Sequence, residues 1–360
     1  MKPERLHLSQ SANARLNQLL QNAIDAGDAL GAVAAVGDSR GIVCCEPFGR
    51  TQVKRRGPTR TDTVFDLASL TKVVATTPSI MLLVERGEIV LSDSVSRYLT
   101  CLDTRSKKAI TIRHLLTHTA GFPALAPLGK PRAPEEAVEA IARIRLVSKP
   151  GTAMRYTDLG FMVLGEVVRE VSGQTLDQFA ASNIFRPMDM RDTCFNPPAR
   201  LASRCAATGM GEGKVRLGRV HDPVAAAIGG VSGHAGVFST AEDLAAFARM
   251  ILNRGAHGNE RIISSASVRA MTTAQVEIAG ERRGLGWDIC TSYSSPRGDL
   301  MSPASFGHTG FTGTSIWIDP EKDLFVILLT NWVHRRESPN ANRLRSLVSN
   351  VVAAGLEPRS

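Results

Sequence analysis

The sequence predicts an α/β fold of the α+β kind, with one sheet assembled from both ends of the chain and a mostly helical insertion between them. Two observations lead there. Short apolar runs separated by turn residues cluster near the start, GAVAAVG (31–37) and GIVCCEPFG (41–49). They cluster again near the end, LGWDI (285–289), HTG (308–310), TSIWID (314–319) and LFVILLTN (324–331). Between about 93 and 218 the apolar residues instead recur at helical spacing, with glycine- and proline-rich breaks such as GFPALAPLGKPRAP (121–134). The expected division is a sheet domain from 1–92 and 219–360 and a helical domain from 93–218. A chain of 360 residues has room for one large domain or two intimately joined ones.

The elements follow in order. Leu16, Leu19, Leu20 and Ile24 share one face of a helix from Ser11 to Ala26, which Gly27 stops. The runs 31–37 and 41–49 read as two strands around Asp38-Ser39-Arg40. Ser69 to Arg86 is helical in pattern and ends at Gly87, with Pro78 expected to kink or break it. Further helices are expected at Thr111–His118, Pro134–Arg145, Asp158–Val171 and Leu176–Phe185. A long loop, 221–240, precedes a helix to about Asn253, for which Ser239 and Glu242 have the spacing of a capping box. A helix from Asn340 to Ala354 closes the chain.

Composition removes several function classes. Hydrophobic residues at 43% and charged residues at 21% describe a globular chain with ample core. The net charge is +9, but the densest basic run, Lys54–Arg60, adjoins glycine and proline and lacks interleaved aromatics. It reads as a solvated loop, so no nucleic-acid partner is expected. The six cysteines form no CxxC pair and read as reduced, mostly buried thiols, with no metal site expected from them. No phosphate-binding loop or dinucleotide fingerprint is present, and no cofactor is expected. No run of 18 apolar residues suggests a membrane span, and the N-terminus lacks the apolar core of a signal peptide, so a cytoplasmic location is expected.

The chemistry centres on FDLASLTKVVAT (65–76), where Ser69 precedes Lys72 by three residues. Residues three apart share a helix face, so the amine can lie against the hydroxyl. A serine at a helix start also carries an unpaired N–H that can face a developing oxyanion. The apolar flanks Ala68, Leu70, Val73 and Val74 argue against a merely solvated lysine. In RYTDLGFMVLGEVV (155–168), Tyr156 stands before an amphipathic helix, two residues ahead of Asp158. A phenol there can pack, or shuttle protons to the nucleophile. In FGHTGFTGTSIWID (306–319), glycines allow a substrate close to the strand edge.

Taken together these stretches resemble the serine β-lactamase and penicillin-binding-protein superfamily, on its class C and esterase side. FDLASLTKVVAT is similar to the family's Ser-x-x-Lys segment, YTD to its Tyr-x-Asn element and HTG to its Lys-Thr-Gly strand. ITIRHLLTHTAGF (110–122) and GHAGVFSTAEDLAAFARMIL (233–252) also resemble family stretches in the expected order, and the similarity runs from about residue 12 to 354. The resemblance implies a β-lactamase/transpeptidase-like fold, an antiparallel sheet flanked by helices with the active site where the two domains join. It implies Ser69 as acylated nucleophile and Lys72 with Tyr156 as general base and acid. It assigns the oxyanion hole to the N–H groups of Ser69 and Phe311, and the substrate edge to His308, Thr309 and Gly310.

Two departures matter. His308 stands for a lysine, so a fixed charge becomes titratable. Asp158 stands for an asparagine and is expected to pair with Lys72, hold it protonated and leave Tyr156 as the base. Both shift the expectation toward a carboxylesterase on small short-acyl esters with weak β-lactamase activity. The alternatives are a β-lactamase, D,D-carboxypeptidase or D-aminopeptidase acting on amides, and a binding protein without turnover. The presence of Ser69, Lys72 and Tyr156 together speaks against the last.

Competing motifs are weaker. Gly37-Asp38-Ser39-Arg40-Gly41 fits GxSxG, but a strand follows where that elbow needs a helix, so a hairpin turn is expected. His114 and His118 have metal-ligand spacing without a third ligand, and read as packed or capping histidines. His234, in GGVSGHAG, either faces the pocket or bonds backbone in a tight loop.

Overall fold

Eight strands form one antiparallel sheet in the computed structural model, which describes residues 6–52, 57–211, 214–293, 295–334 and 341–356. Their spatial order is Val276–Ile278, Glu281–Arg283, Asp288–Cys290, Phe306–Thr309, Ser315–Asp319, Leu324–Thr330, Gly31–Asp38 and Gly41–Gly49. The two chain ends meet in the sheet's interior. Ala32 pairs with Thr330 and the register continues to Gly37 opposite Phe325. The first and last apolar runs can therefore satisfy their backbone groups only after the whole chain between them has folded back.

Alternation along the buried strands sends side chains to two cores. Ala32, Ala34 and Val36 join Val326 and Leu328 under the terminal helices Gln10–Ala26 and Ala341–Ala354, which supply Leu16, Leu20, Val348 and Val352. Val33 and Ala35, with Ile316 and Ile327, face the larger core. That core continues without interruption into helices Thr77–Glu85, Leu159–Ser172 and Ala241–Leu252.

Several local outcomes differ from expectation for identifiable reasons. The first helix begins at Gln10, because Ser9 accepts the Ala12 N–H as N-cap, and Gly27 ends it in the left-handed region at φ 79°. The Ala241–Leu252 helix is capped by Thr240, whose hydroxyl accepts the Asp243 N–H. Ser239 instead ends a strand, Val237–Ser239, and its hydroxyl meets Thr193 at 2.7 Å. The break before Pro78 takes the form of a π-helical turn, Lys72–Thr76, in which the Thr77 N–H reaches the Lys72 carbonyl. Proline at 78 offers no N–H for an α-helical bond to Val74, and the wider turn absorbs that loss. Leu176–Phe185 likewise splits into a helix to Ala180 and a π turn.

Of LGWDI only Asp288 and Ile289 are strand, in an element that runs to Cys290, because Gly286 turns the chain at φ 78°. The edge strand Val276–Ile278 and its inner neighbour Glu281–Arg283 were absent from the expectation. Both are three residues long and interrupted or filled by charge, so they lack an apolar signal. Residues 54–56 of the basic run and residue 340 of the final helix lie outside the described residues.

Ser39 occupies the two-residue hairpin turn as expected, with its hydroxyl on Asp323 at 3.0 Å. His114 closes a capping box with Thr111, and His118 packs inside. Among the described residues no helix is long and apolar enough to cross a membrane.

Candidate active site

The nucleophile segment is held at both ends. Phe65–Asp66 pairs with Val237–Ser239, and the chain then turns through Ala68, a non-glycine residue at φ 47°. Such a conformation costs on the order of 1 kcal/mol or more and persists only where neighbours over-determine it. They do so here. The buried Asp66 carboxylate accepts the Ala68 N–H at 2.8 Å and the His221 N–H at 2.6 Å. Burial nonetheless pushes that carboxyl up to about 6, against both bonds. Ser69 follows in a short 3-10 turn, Ala68–Leu70, and Lys72 opens the π turn.

Lys72 is the hub. Its Nζ lies 2.8 Å from Ser69 Oγ, 2.8 Å from Tyr156 OH and 2.7 Å from Asp158 Oδ1, with the His234 carbonyl at 3.5 Å. The side chain is fully buried. Burial is the largest influence and disfavours the ammonium, but Asp158 and Tyr156 together outweigh it and leave Lys72 above the ordinary lysine range. Asp158 mirrors this: burial raises its carboxyl, and Lys72 and His234 bring it below the usual carboxylate value. An ammonium with three N–H groups on Ser69, Tyr156 and Asp158 has no lone pair to accept the serine proton. The expected Lys72–Asp158 pair is thus present, and the Tyr156 hydroxyl shares the same ammonium with Ser69.

Tyr156 sits in a ring of aromatic and basic groups. His118 is 4.5 Å away between centroids, Tyr293 5.8 Å and His308 5.9 Å, while the Arg283 guanidinium carbon lies 5.7 Å from its centroid. Burial, then the charges of Arg283 and Lys72, hold both His118 and His308 well below the ordinary histidine range. His308 is therefore neutral, and its Nδ1 donates to the Thr309 carbonyl at 2.8 Å. His118 Nδ1 accepts the Thr157 N–H at 3.3 Å.

The strand end beyond Thr309 faces the nucleophile. A Cβ on Gly310 would stand 2.5 Å from the Leu67 carbonyl and 2.1 Å from Thr314 Oγ1, so only glycine allows this approach. Thr312 and Thr314 donate to the carbonyls of Asp66 and Leu67, stitching strand to turn. The Gly310 carbonyl accepts from Arg345 Nη2 at 2.7 Å, so in a planar trans peptide the Phe311 N–H points the opposite way. The Phe311 carbonyl accepts from Trp332 at 2.6 Å, which fixes the next peptide.

A cavity of about 620 Å³ opens over Ser69, with Tyr156, Asp158, Thr309, Gly310 and Phe311 among its lining. Those predicted residues are brought together. His308 is not among the lining residues: it is buried one layer behind, against Tyr156. His234 both faces the cavity and is locked, with Nδ1 on Ser232 at 2.9 Å and Nε2 on Asp222 at 3.0 Å. Burial raises the Asp222 carboxyl, but His234 outweighs it and brings the group down to about 2. Donor atoms of Asp158, Asp222 and His234 lie within 4.8 Å of one another, a spacing that suits a cation, and Asp158 already holds the Lys72 ammonium.

Sequence reasoning passed over Asp222, Arg283, Tyr293, Trp332 and Arg345. Arg345 is buried at the cavity wall without a carboxylate partner among the described residues, and burial pushes it down to about 10. Arg283 had one legible signal, since it falls in period two with the apolar Leu285 and Trp287.

The Beta-lactamase family model matches residues 16–350. A relative from Escherichia coli O157:H7, provisionally named a D-alanyl-D-alanine carboxypeptidase, is 33% identical over 76% of this chain and 70% of its own length. A Salmonella schwarzengrund relative of the same name is 31% identical over 99% of this chain and 90% of its own. Among solved structures, EstCE1, described as a hydrolase with promiscuous acyltransferase activity, superposes with a TM-score of 0.79 at 23% identity, covering 96% of this chain and 99% of its own. A penicillin-binding protein homologue from Caulobacter crescentus gives 0.76 at 20% identity, covering 97% of this chain and all (100%) of its own. The chain belongs to the beta-lactamase family, with the serine hydrolase fold shared by β-lactamases and penicillin-binding proteins.

Proposed function

We propose that the protein is an acyl-enzyme-forming hydrolase of small esters or amides that carry a carboxylate beside the scissile bond. The observation that supports it most is the contact of one buried Lys72 ammonium with Ser69, Tyr156 and Asp158 at 2.7–2.8 Å. In this reading the Tyr156 phenolate takes the Ser69 proton as Oγ attacks the carbonyl carbon. The oxyanion rests on the N–H groups of Ser69 and Phe311. Tyr156 then gives its proton to the leaving alcohol or amine, and the acyl group stays on Ser69. Water repeats the sequence, releasing the acid and restoring the serine. Lys72, kept charged by Asp158, favours the phenolate throughout.

The substrate carboxylate is inferred from Arg345, a buried cation at the cavity wall without an acidic partner among the described residues. A peptide ending in D-alanine, the class named for the curated relatives, has such a group. A second reading, short-acyl esters without a charge, is favoured by neutral His308 and by the exposed apolar Leu125 and Phe311 at the cavity mouth.

The test compares kcat/KM for an acylated D-alanyl-D-alanine peptide, a short-chain nitrophenyl ester and a chromogenic cephalosporin, with Ser69→Ala as control. Peptide turnover above ester turnover supports the first reading. Ester turnover alone supports the second. Retained activity in Ser69→Ala removes both.

A further inference from the structure

We propose that Arg283 is a positioning residue that supplies the second fixed positive charge for the Tyr156 phenolate, acting through the ring rather than on substrate. The inference rests on the reading of Tyr156 as base. It begins with charge balance. Lys72 touches the phenol oxygen, yet its charge is shared with Asp158 at 2.7 Å. A phenolate added to that pair leaves a net negative charge around the fully buried Lys72, which low-dielectric surroundings oppose.

The other groups facing Tyr156 among the described residues do not supply the missing cation. His118 and His308 flank the ring but are held neutral, and Tyr293 carries no positive charge. Arg283 remains, 1% exposed, with its guanidinium carbon 5.7 Å from the ring centroid. An arginine stays charged over the working pH range, as a histidine would not.

Its own bonding fits an electrostatic role better than a purely structural one. Nη2 donates to the Gly286 carbonyl at 2.9 Å, and Nη1 to Tyr293 OH at 2.9 Å. The acidic neighbour, Asp288, is only loosely engaged at 3.4 Å and is also bonded by Thr291 and Ser295 at 2.7 Å each. Nε has no partner among the described residues. A buried N–H without a partner destabilises the fold, which an arginine placed for stability alone would not do. The register explains how it reaches this position. Arg283 ends a strand beside Asp288–Cys290, and Gly286, at φ 78°, turns the chain between the two strands.

The experiment measures the pH profile of kcat/KM for wild type, Arg283→Gln, Arg283→Lys and Asp288→Asn. Tyrosine ionisation is followed in parallel by ultraviolet difference absorbance. With three tyrosines in the chain, subtraction of Tyr156→Phe isolates the residue of interest. Arg283→Gln is expected to move the acid limb to higher pH, with roughly tenfold loss at neutral pH for each unit moved and recovery in alkali. Arg283→Lys should keep the limb near wild type. Asp288→Asn, which frees more of the Arg283 charge, should move it the opposite way.

An unmoved limb in both Arg283→Gln and Asp288→Asn, with Tyr156→Phe inactive, would overturn the role of Arg283 alone. An active Tyr156→Phe would instead remove the reading beneath it. Should Arg283→Gln fail to fold, the opposite-signed shift in Asp288→Asn and its absence in Arg283→Lys decide the matter.

Discussion

Lys72 Nζ and Asp158 Oδ1 stand 2.7 Å apart, the lysine side chain fully buried and the carboxylate still 40% exposed. The buried ammonium is thus held charged chiefly by this carboxylate, with Tyr156 adding to it. Asp158→Ala is expected to destabilise the fold by about 2 kcal/mol, less than for a fully enclosed pair because water reaches the carboxylate. Asp158→Asn should keep most of the fold but lower kcat by about a hundredfold, since a neutral amide no longer holds Lys72 charged beside Tyr156. Urea unfolding and steady-state kinetics check the two. Wild-type kcat in Asp158→Asn would refute the role given to the pair.

Buried neutral histidines make the fold sensitive to acid. His118 and His308 are held below 6.5 in the folded protein, so the unfolded chain binds more protons as pH falls through that value. Stability then rises with pH up to about 6.5 and is lost progressively below it. Thermal unfolding between about pH 7 and pH 5 should show this slope. His118→Asn should flatten it, and asparagine also tolerates the φ of 57° at that position. An equal slope in the variant would count against His118 as a source.

Gly310→Ala tests the strand-to-nucleophile spacing. The added methyl meets the Leu67 carbonyl at 2.5 Å, so the strand must retreat from the Ser69 turn. A misplacement on the order of 1 Å costs about a hundredfold in kcat/KM. Circular dichroism and kinetics together should show a folded, slow enzyme. Unimpaired turnover would mean that the Phe311 N–H is not needed where it stands.

Arg345→Met separates the two substrate readings. The variant should raise KM for carboxylate-bearing substrates by about tenfold or more and affect an uncharged nitrophenyl ester less. Arg345 also bonds the Gly310 and Thr314 carbonyls, so some loss is expected for every substrate. The ratio of the two effects is the quantity to measure. Equal losses would remove the carboxylate from the proposal.

The order of elements was largely legible in the sequence, because apolar runs in period two and stripes in period 3.6 reflect local geometry. The runs at 31–37, 41–49, 314–319 and 324–331 are strands of the sheet. Glu281–Arg283 escaped that logic, since its three residues are all charged and only pairing with Val276–Ile278 and Asp288–Cys290 makes it a strand. The Thr240 cap escaped it too, as adjacent Ser239 offers the same chemistry and only pairing with Phe65 takes it into a strand.

The site divides in the same way. Ser69 and Lys72 are three residues apart, so one turn of backbone suffices to bring their side chains together, and the sequence alone carries that contact. Tyr156 and Asp158 were legible as motif residues, but their contact with Lys72 spans more than eighty residues. Whether His308 faces substrate or backs Tyr156, and which cations surround the phenol, depends on strands that meet only in the folded sheet. Arg283 and Arg345 reach the site across such distances. Their charges act through space and leave no spacing in the chain to read.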